Sequence, residues 1–160
     1  MINYKTRRLI CYSDMEVVNG KLMEKAREFS LDFFRAPNLL SVDEKRMPYE
    51  VTFCDTENPE RLICSICYFK KRDRYELTWT TTEDYQQKGY MTEALKSWID
   101  WMFTNTEETQ LWALISSTNL PSIKTALKCG FTLYDCISNV SAWYLCDKQR
   151  FPHLMMDNGE

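Results

Sequence analysis

The spacing of apolar positions changes from two to 3.6 across Gly89. Ahead of it, Tyr75-Glu76-Leu77-Thr78-Trp79-Thr80-Thr81-Thr82 is rich in β-branched and aromatic residues, as a strand requires. Behind it, Tyr90, Ala94, Leu95, Trp98, Ile99 and Met102 recur on one helical stripe, which predicts a helix over 90–103. The same reading along the chain predicts a first strand at 7–12 and a helix at 15–29. That helix would start at Ser13-Asp14 and carry Val17, Val18, Leu22, Met23, Ala26 and Phe29 at helical spacing. A short helix around 31–35 ends before Pro37 and Asn38. Three strands follow at about 49–54, 62–69 and 75–82. Turns at Asn58-Pro59 and Lys71-Arg72-Asp73 make antiparallel pairing of neighbours the economical arrangement. After the helix at 90–103 come a strand at 111–116, a short helix, and closing strands at 131–137 and 142–146 joined through Ser138-Asn139.

The short helix has both ends written in the sequence. Asn119 suits an N-cap, Pro121 a first turn, and Gly130 a left-handed C-terminal cap. The order of elements predicts an α/β sandwich with a mixed, mainly antiparallel sheet of about seven strands flanked by helices on both faces. One domain over 1–150 accounts for it, and 151–160 shows no periodicity and reads as a loose tail.

Composition removes several function classes. Twenty basic residues against 23 acidic ones give a net charge of −3, without the basic surplus that nucleic-acid binding demands. A cationic amine is a compatible partner. No apolar run approaches the roughly 18 residues of a membrane helix, and the first ten residues are too polar for a signal peptide, so the expected location is the cytoplasm. The seven cysteines are odd in number and scattered, which fits reduced core thiols rather than a disulfide framework. Cys64-Ser65-Ile66-Cys67 spells C-x-x-C, but it lies within a strand-like run where positions three apart face opposite ways. No second ligand pair stands at zinc spacing, and the single histidine, His153, is in the tail, so no metal is expected.

The chemistry centres on Tyr85-Gln86-Gln87-Lys88-Gly89-Tyr90-Met91-Thr92. A helix that starts here leaves its first N–H groups without internal partners and presents the positive end of its dipole, a ready site for a phosphate. An ordinary strand-to-helix turn is the plainer alternative. Gln86-Gln87-Lys88-Gly89-Tyr90, taken together with Asn119, Ser122, Gly130 and Phe131 in that order, resembles the two signatures of the GNAT acetyltransferase superfamily. The first binds pyrophosphate in that superfamily, and the second is Asn-x-x-Ser/Ala followed by a short helix and Gly-Phe. Lys88 to Leu95 looks most similar to the branch that acetylates ribosomal-protein N-termini.

The resemblance implies acetyl-CoA as cosubstrate, held by Gln86, Gln87, Lys88, Gly89, Tyr90, Met91 and Thr92 at the pyrophosphate. Trp79, Thr80 and Thr81 would lie along the pantetheine and thioester carbonyl, and Asn119 and Ser122 on the pantetheine side. Asn119 as a plain N-cap is an equally good reading, and the two roles are compatible. It also implies a primary amine as acceptor, a protein N-terminus or a small molecule, and leaves a homodimer open.

Acetyl transfer requires a neutral amine, a stabilised oxyanion and two positioned reactants. Glu76 is the candidate general base, near the place where several members carry a strand glutamate, with a solvated strand residue as the alternative. Two departures stand out. The tyrosine general acid of many members is replaced by Ala126, with Tyr134 and Tyr144 as substitutes to weigh, and Met91 occupies a small-residue position. A GNAT domain with little or no catalysis, serving as an acyl-CoA sensor or interaction module, is therefore the competing reading.

Overall fold

The computed structural model describes residues 2–13, 15–18, 20–24, 49–71 and 74–151. Eight strands form one sheet: β1 Ile2–Lys5, β2 Leu9–Ser13, β5 Tyr49–Asp55, β6 Leu62–Lys71, β7 Arg74–Thr81, β8 Gln110–Ser116, β9 Thr132–Cys136 and β10 Ser141–Asp147. Their spatial order is β1-β2-β5-β6-β7-β8-β10-β9. Every pairing is antiparallel except β7 with β8, so the sheet is mixed and mainly antiparallel, as expected. The unforeseen member is β1, an edge strand that pairs with β2 over all four residues.

Helix α1, Tyr90–Asn105, lies over one face of the sheet and buries Ala94, Leu95, Trp98, Ile99 and Met102 completely. Trp98 meets the ring of Tyr68 on β6 at 5.3 Å between centroids. Strand alternation then puts Val51, Phe53, Ile66, Tyr68, Leu77, Leu111 and Ala113 beneath the helix, and all are essentially inaccessible. Helix α2, Leu120–Lys128, packs beside α1, with Cys129 Sγ donating to Thr92 O at 3.6 Å.

The helix expected at 15–29 is overturned over its first part. Residues 15–24 form a hairpin, β3 Met15–Val18 paired with β4 Lys21–Glu24 in register Val18↔Lys21. Asn19-Gly20 between Val17-Val18 and Lys21-Leu22 is a two-residue hairpin signal, and Gly20 takes the left-handed conformation such a turn needs, φ 74°. That short-range signal outweighs the helical spacing of Val17, Val18, Leu22 and Met23. The remainder of that helix, the short helix at 31–35 and the residues beyond 151 lie outside the described residues. Phe151 itself is no loose residue, since it is buried and meets Phe103 edge to face at 5.7 Å.

Candidate functional site

The two parallel strands part almost as soon as they pair. Register between β7 and β8 extends only over Tyr75↔Leu111 and Glu76↔Trp112, and beyond those residues each strand runs on to its C-terminal end without pairing to the other. Each end leads into a helix N-terminus: Thr81 through a short 3-10 turn at Glu83–Tyr85 into α1, and Ser116 through Asn119 into α2. The starts of both helices thus stand at the same end of the sheet, on either side of the divergence, and at α2 the first N–H groups are already met by Thr118 O, Asn119 Oδ1 and Asn119 O.

The loop into α1 is specialised. Gln87 has φ 60° and Gly89, the N-cap, φ 78°, so two left-handed residues bracket Lys88. Among the described residues, no N–H from Gln87 to Thr92 donates to a protein acceptor. A Cβ on Gly89 would meet only Arg8 Nη2, at 3.5 Å, so glycine is required by its φ rather than by lack of room. The side chains of the loop turn back on it: Gln86 Nε2 donates to Thr81 O at 3.2 Å and Lys88 Nζ to Asp84 O at 2.9 Å. Met91, at the small-residue position, is buried in the core and leaves the backbone donors uncovered.

A clamp from the other end of the chain holds this loop. Arg8 lies over the Tyr90 ring at 4.0 Å, donates through Nη1 to Lys88 O at 3.0 Å and through Nε to Glu93 Oε2 at 2.7 Å. Glu93 Oε1 also accepts from Thr6 Oγ1 at 2.6 Å and Arg8 N at 2.7 Å. Burial pushes the Glu93 carboxyl up, but the hydrogen bonds from Thr6 and Arg8 and the guanidinium charge outweigh it and hold the carboxyl below its usual range. This contact was not legible from sequence, because its partners stand 85 residues apart.

Across the divergence, Trp79 meets Phe131 at 6.0 Å, which seats the end of α2 against β7. Thr80 is exposed and Thr81 half-buried. Asn119 is the N-cap of α2, its side chain accepting from Ser122 N at 3.3 Å. Glu76 occupies the last parallel pair, on the face away from α1, and is only 8 % exposed, so it is not a solvated strand residue. Of the substitute acids, Tyr144 is buried beneath α1, while Tyr134 is exposed and packs edge to face on Trp112 at 4.8 Å. Ala126 is fully buried in α2.

The thiols do not belong to this chemistry. Cys11, Cys64, Cys67, Cys129 and Cys146 are buried, which pushes Cys11 and Cys129 up to about 12 and the others higher still. Cys54 is half-buried and Cys136 exposed, so the expectation of core thiols holds for five of the seven.

The family described as "Acetyltransferase (GNAT) domain" matches residues 7–132. The chain belongs to the GNAT acetyltransferase family. No curated protein sequence matches it. Among solved structures, the ribosomal-protein-S5-alanine acetyltransferase of Vibrio fischeri superposes with a TM-score of 0.64 at 14% identity, over 94% of this chain and 99% of that one. An acetyltransferase of Agrobacterium tumefaciens str. C58 gives 0.64 at 17%, over 91% and 94%. A Vibrio cholerae spermidine N-acetyltransferase chimera gives 0.58 at 13%, over 66% and 69%. At these identities the likeness establishes a shared fold, and the GNAT assignment rests on the family match.

Proposed function

We propose that the protein is an N-acetyltransferase that moves an acetyl group from acetyl-CoA to a primary amine, by direct attack within a ternary complex. The observation that carries this reading is the early divergence of β7 from β8 beside the N-terminus of α1, where the N–H groups of Gln87 to Thr92 have no acceptor among the described residues. A pyrophosphate fits that donor set, with the N–H groups of Gln87 to Thr92 as its partners and the Gly89 backbone open to close approach. Asn119 and Ser122, at the start of α2, border the same opening, where a pantetheine arm would pass along Trp79 to Thr81. Acetyl-CoA supplies an activated acetyl thioester.

The residues of the chain orient and move protons. Backbone N–H groups near Trp79 to Thr81 stabilise the developing oxyanion, and Glu76, at the fork itself, receives the amine proton through a water. Two enzymes of shared fold are named for an alanine of a ribosomal protein and for spermidine, which supports an amine here without choosing one. Seven unpaired cysteines suit a reducing compartment, and the cytoplasm is the location we assign.

Thiol release from acetyl-CoA, followed across a panel of peptides and small amines, tests the reading. Turnover is expected with at least one acceptor. Glu76→Gln should then lower kcat/KM by about 10²–10⁴-fold with coenzyme A affinity unchanged, the loss shrinking at high pH where the amine arrives neutral. Coenzyme A binding without turnover of any amine would instead support an acyl-CoA sensor, the reading favoured by buried Ala126 at the tyrosine position.

A further inference from the structure

Edge strand β1 and the outer side of α1 border a cavity of about 310 Å³, and none of its lining residues belongs to the coenzyme A opening. Tyr4, Lys5 and Thr6 stand on one wall, Ser97, Asp100 and Trp101 on the other. Two contacts tie the walls together: Tyr4 Oη and Ser97 Oγ share a hydrogen bond at 3.0 Å, and Thr6 Oγ1 donates to Glu93 Oε1 at 2.6 Å. The space between strand and helix is therefore built in.

Strand register decides what the β1 wall offers. Thr6 N–H donates to Leu9 O at 2.8 Å, which makes those two a hydrogen-bonded pair, and Tyr4 with Cys11 is the next such pair along. Lys5, opposite Ile10, falls between them, so its N–H and C=O both point out of the sheet. Among the described residues no strand lies beyond β1 to receive them. Tyr4 and Thr6 reach toward α1, so alternation turns the Lys5 side chain to the other face and leaves its main chain at the cavity mouth. On the facing wall, Trp101 is half-buried and stacks one ring face on buried Trp98, at 5.1 Å and 3° between planes. Asp100 is exposed, with no ion pair or side-chain hydrogen bond among the described residues. Its charge is felt at Tyr4, whose hydroxyl is pushed up chiefly by burial and in lesser part by Asp100.

We propose that this groove takes an extended basic peptide by strand addition to β1. The peptide runs antiparallel, and one of its residues exchanges both main-chain hydrogen bonds with Lys5. The next residue, opposite Tyr4, then points toward α1, where an arginine lays its stem along Trp101 and its guanidinium on Asp100. Main-chain bonds dock the peptide and the cavity selects the side chain. This interaction surface is independent of the acetyl-transfer reading.

The probe is acetyl-Thr-Val-Arg-Val-Thr-amide, whose blocked N-terminus cannot accept an acetyl group, titrated into the whole chain and followed by backbone amide shifts. Saturable shifts are expected on Asn3, Lys5 and Ser97 to Asn105. N-methylation of the first valine removes the N–H aimed at Lys5 O and should weaken binding about tenfold or more, whereas N-methylation of the arginine, whose N–H points away from β1, should be tolerated. Citrulline in place of arginine should weaken binding about tenfold, the worth of one charge-assisted hydrogen bond. In Asp100→Asn, checked for fold by circular dichroism, the arginine and citrulline peptides should bind alike. The absence of shifts at these residues with millimolar peptide overturns the proposal. Equal binding of the two N-methylated peptides, or of arginine and citrulline peptides to the unaltered chain, overturns it without any change to the protein, and so does an arginine preference that survives Asp100→Asn.

Discussion

Gly89 holds a backbone angle of φ 78° at the N-cap of α1, where a residue with a side chain is strained even though a Cβ has room. Left-handed backbone costs a non-glycine residue about 1–2 kcal/mol, most for β-branched ones. Gly89→Val should therefore lower stability by about that amount and, by rotating the donors away, weaken coenzyme A about tenfold or more. Lys88→Ala should change affinity little, because Lys88 Nζ is committed to Asp84 O and only its backbone lines the loop. Calorimetric titration of both variants checks this, and unchanged affinity in a folded Gly89→Val speaks against the anion loop. Gly89 was readable from the sequence as a turn before a helix. The second left-handed residue, Gln87, was not, since glutamine does not announce such a backbone.

The clamp between the 6–8 segment and the first turn of α1 makes a prediction of its own. A carboxylate in that turn favours the helix dipole but opposes an anionic ligand, and Arg8 compensates its charge while fixing Lys88 O. The folded carboxyl of Glu93 lies below its unfolded value, so its contribution to stability is present above the unfolded pKa, near 4.5, and is lost as pH falls through the folded one. Arg8→Ala should accordingly be less stable than wild type at neutral pH, by about 1 kcal/mol for a partly exposed pair, with the gap closing in acid. Thermal melts across pH 3 to 7 measure it; a gap that does not narrow in acid means that Arg8 acts through its stacking on Tyr90 alone. At the level of elements the patterns that carried the reading were the long ones. Strands β5 to β8, α1 and α2 stand within two residues of expectation because their alternation or helical stripe extends over seven or more positions. The hairpin at 15–24 was missed because in ten residues helical spacing and strand alternation coincide, and Asn19-Gly20 was the deciding signal.

In the whole molecule, the site exists because one pair of strands in an otherwise antiparallel sheet is parallel and separates after two residue pairs. Sequence order alone could place β7 and β8 as neighbours only by resemblance to a known family, since the pairing joins residues some 36 apart. Backbone amide shifts in the protein titrated with coenzyme A test directly whether this opening is the cosubstrate site. The largest changes should fall on Gln87 to Thr92, with a second set on Trp79 to Thr81 and Asn119 to Ser122. Saturable changes clustered elsewhere on the sheet, with those three segments still, would contradict the account.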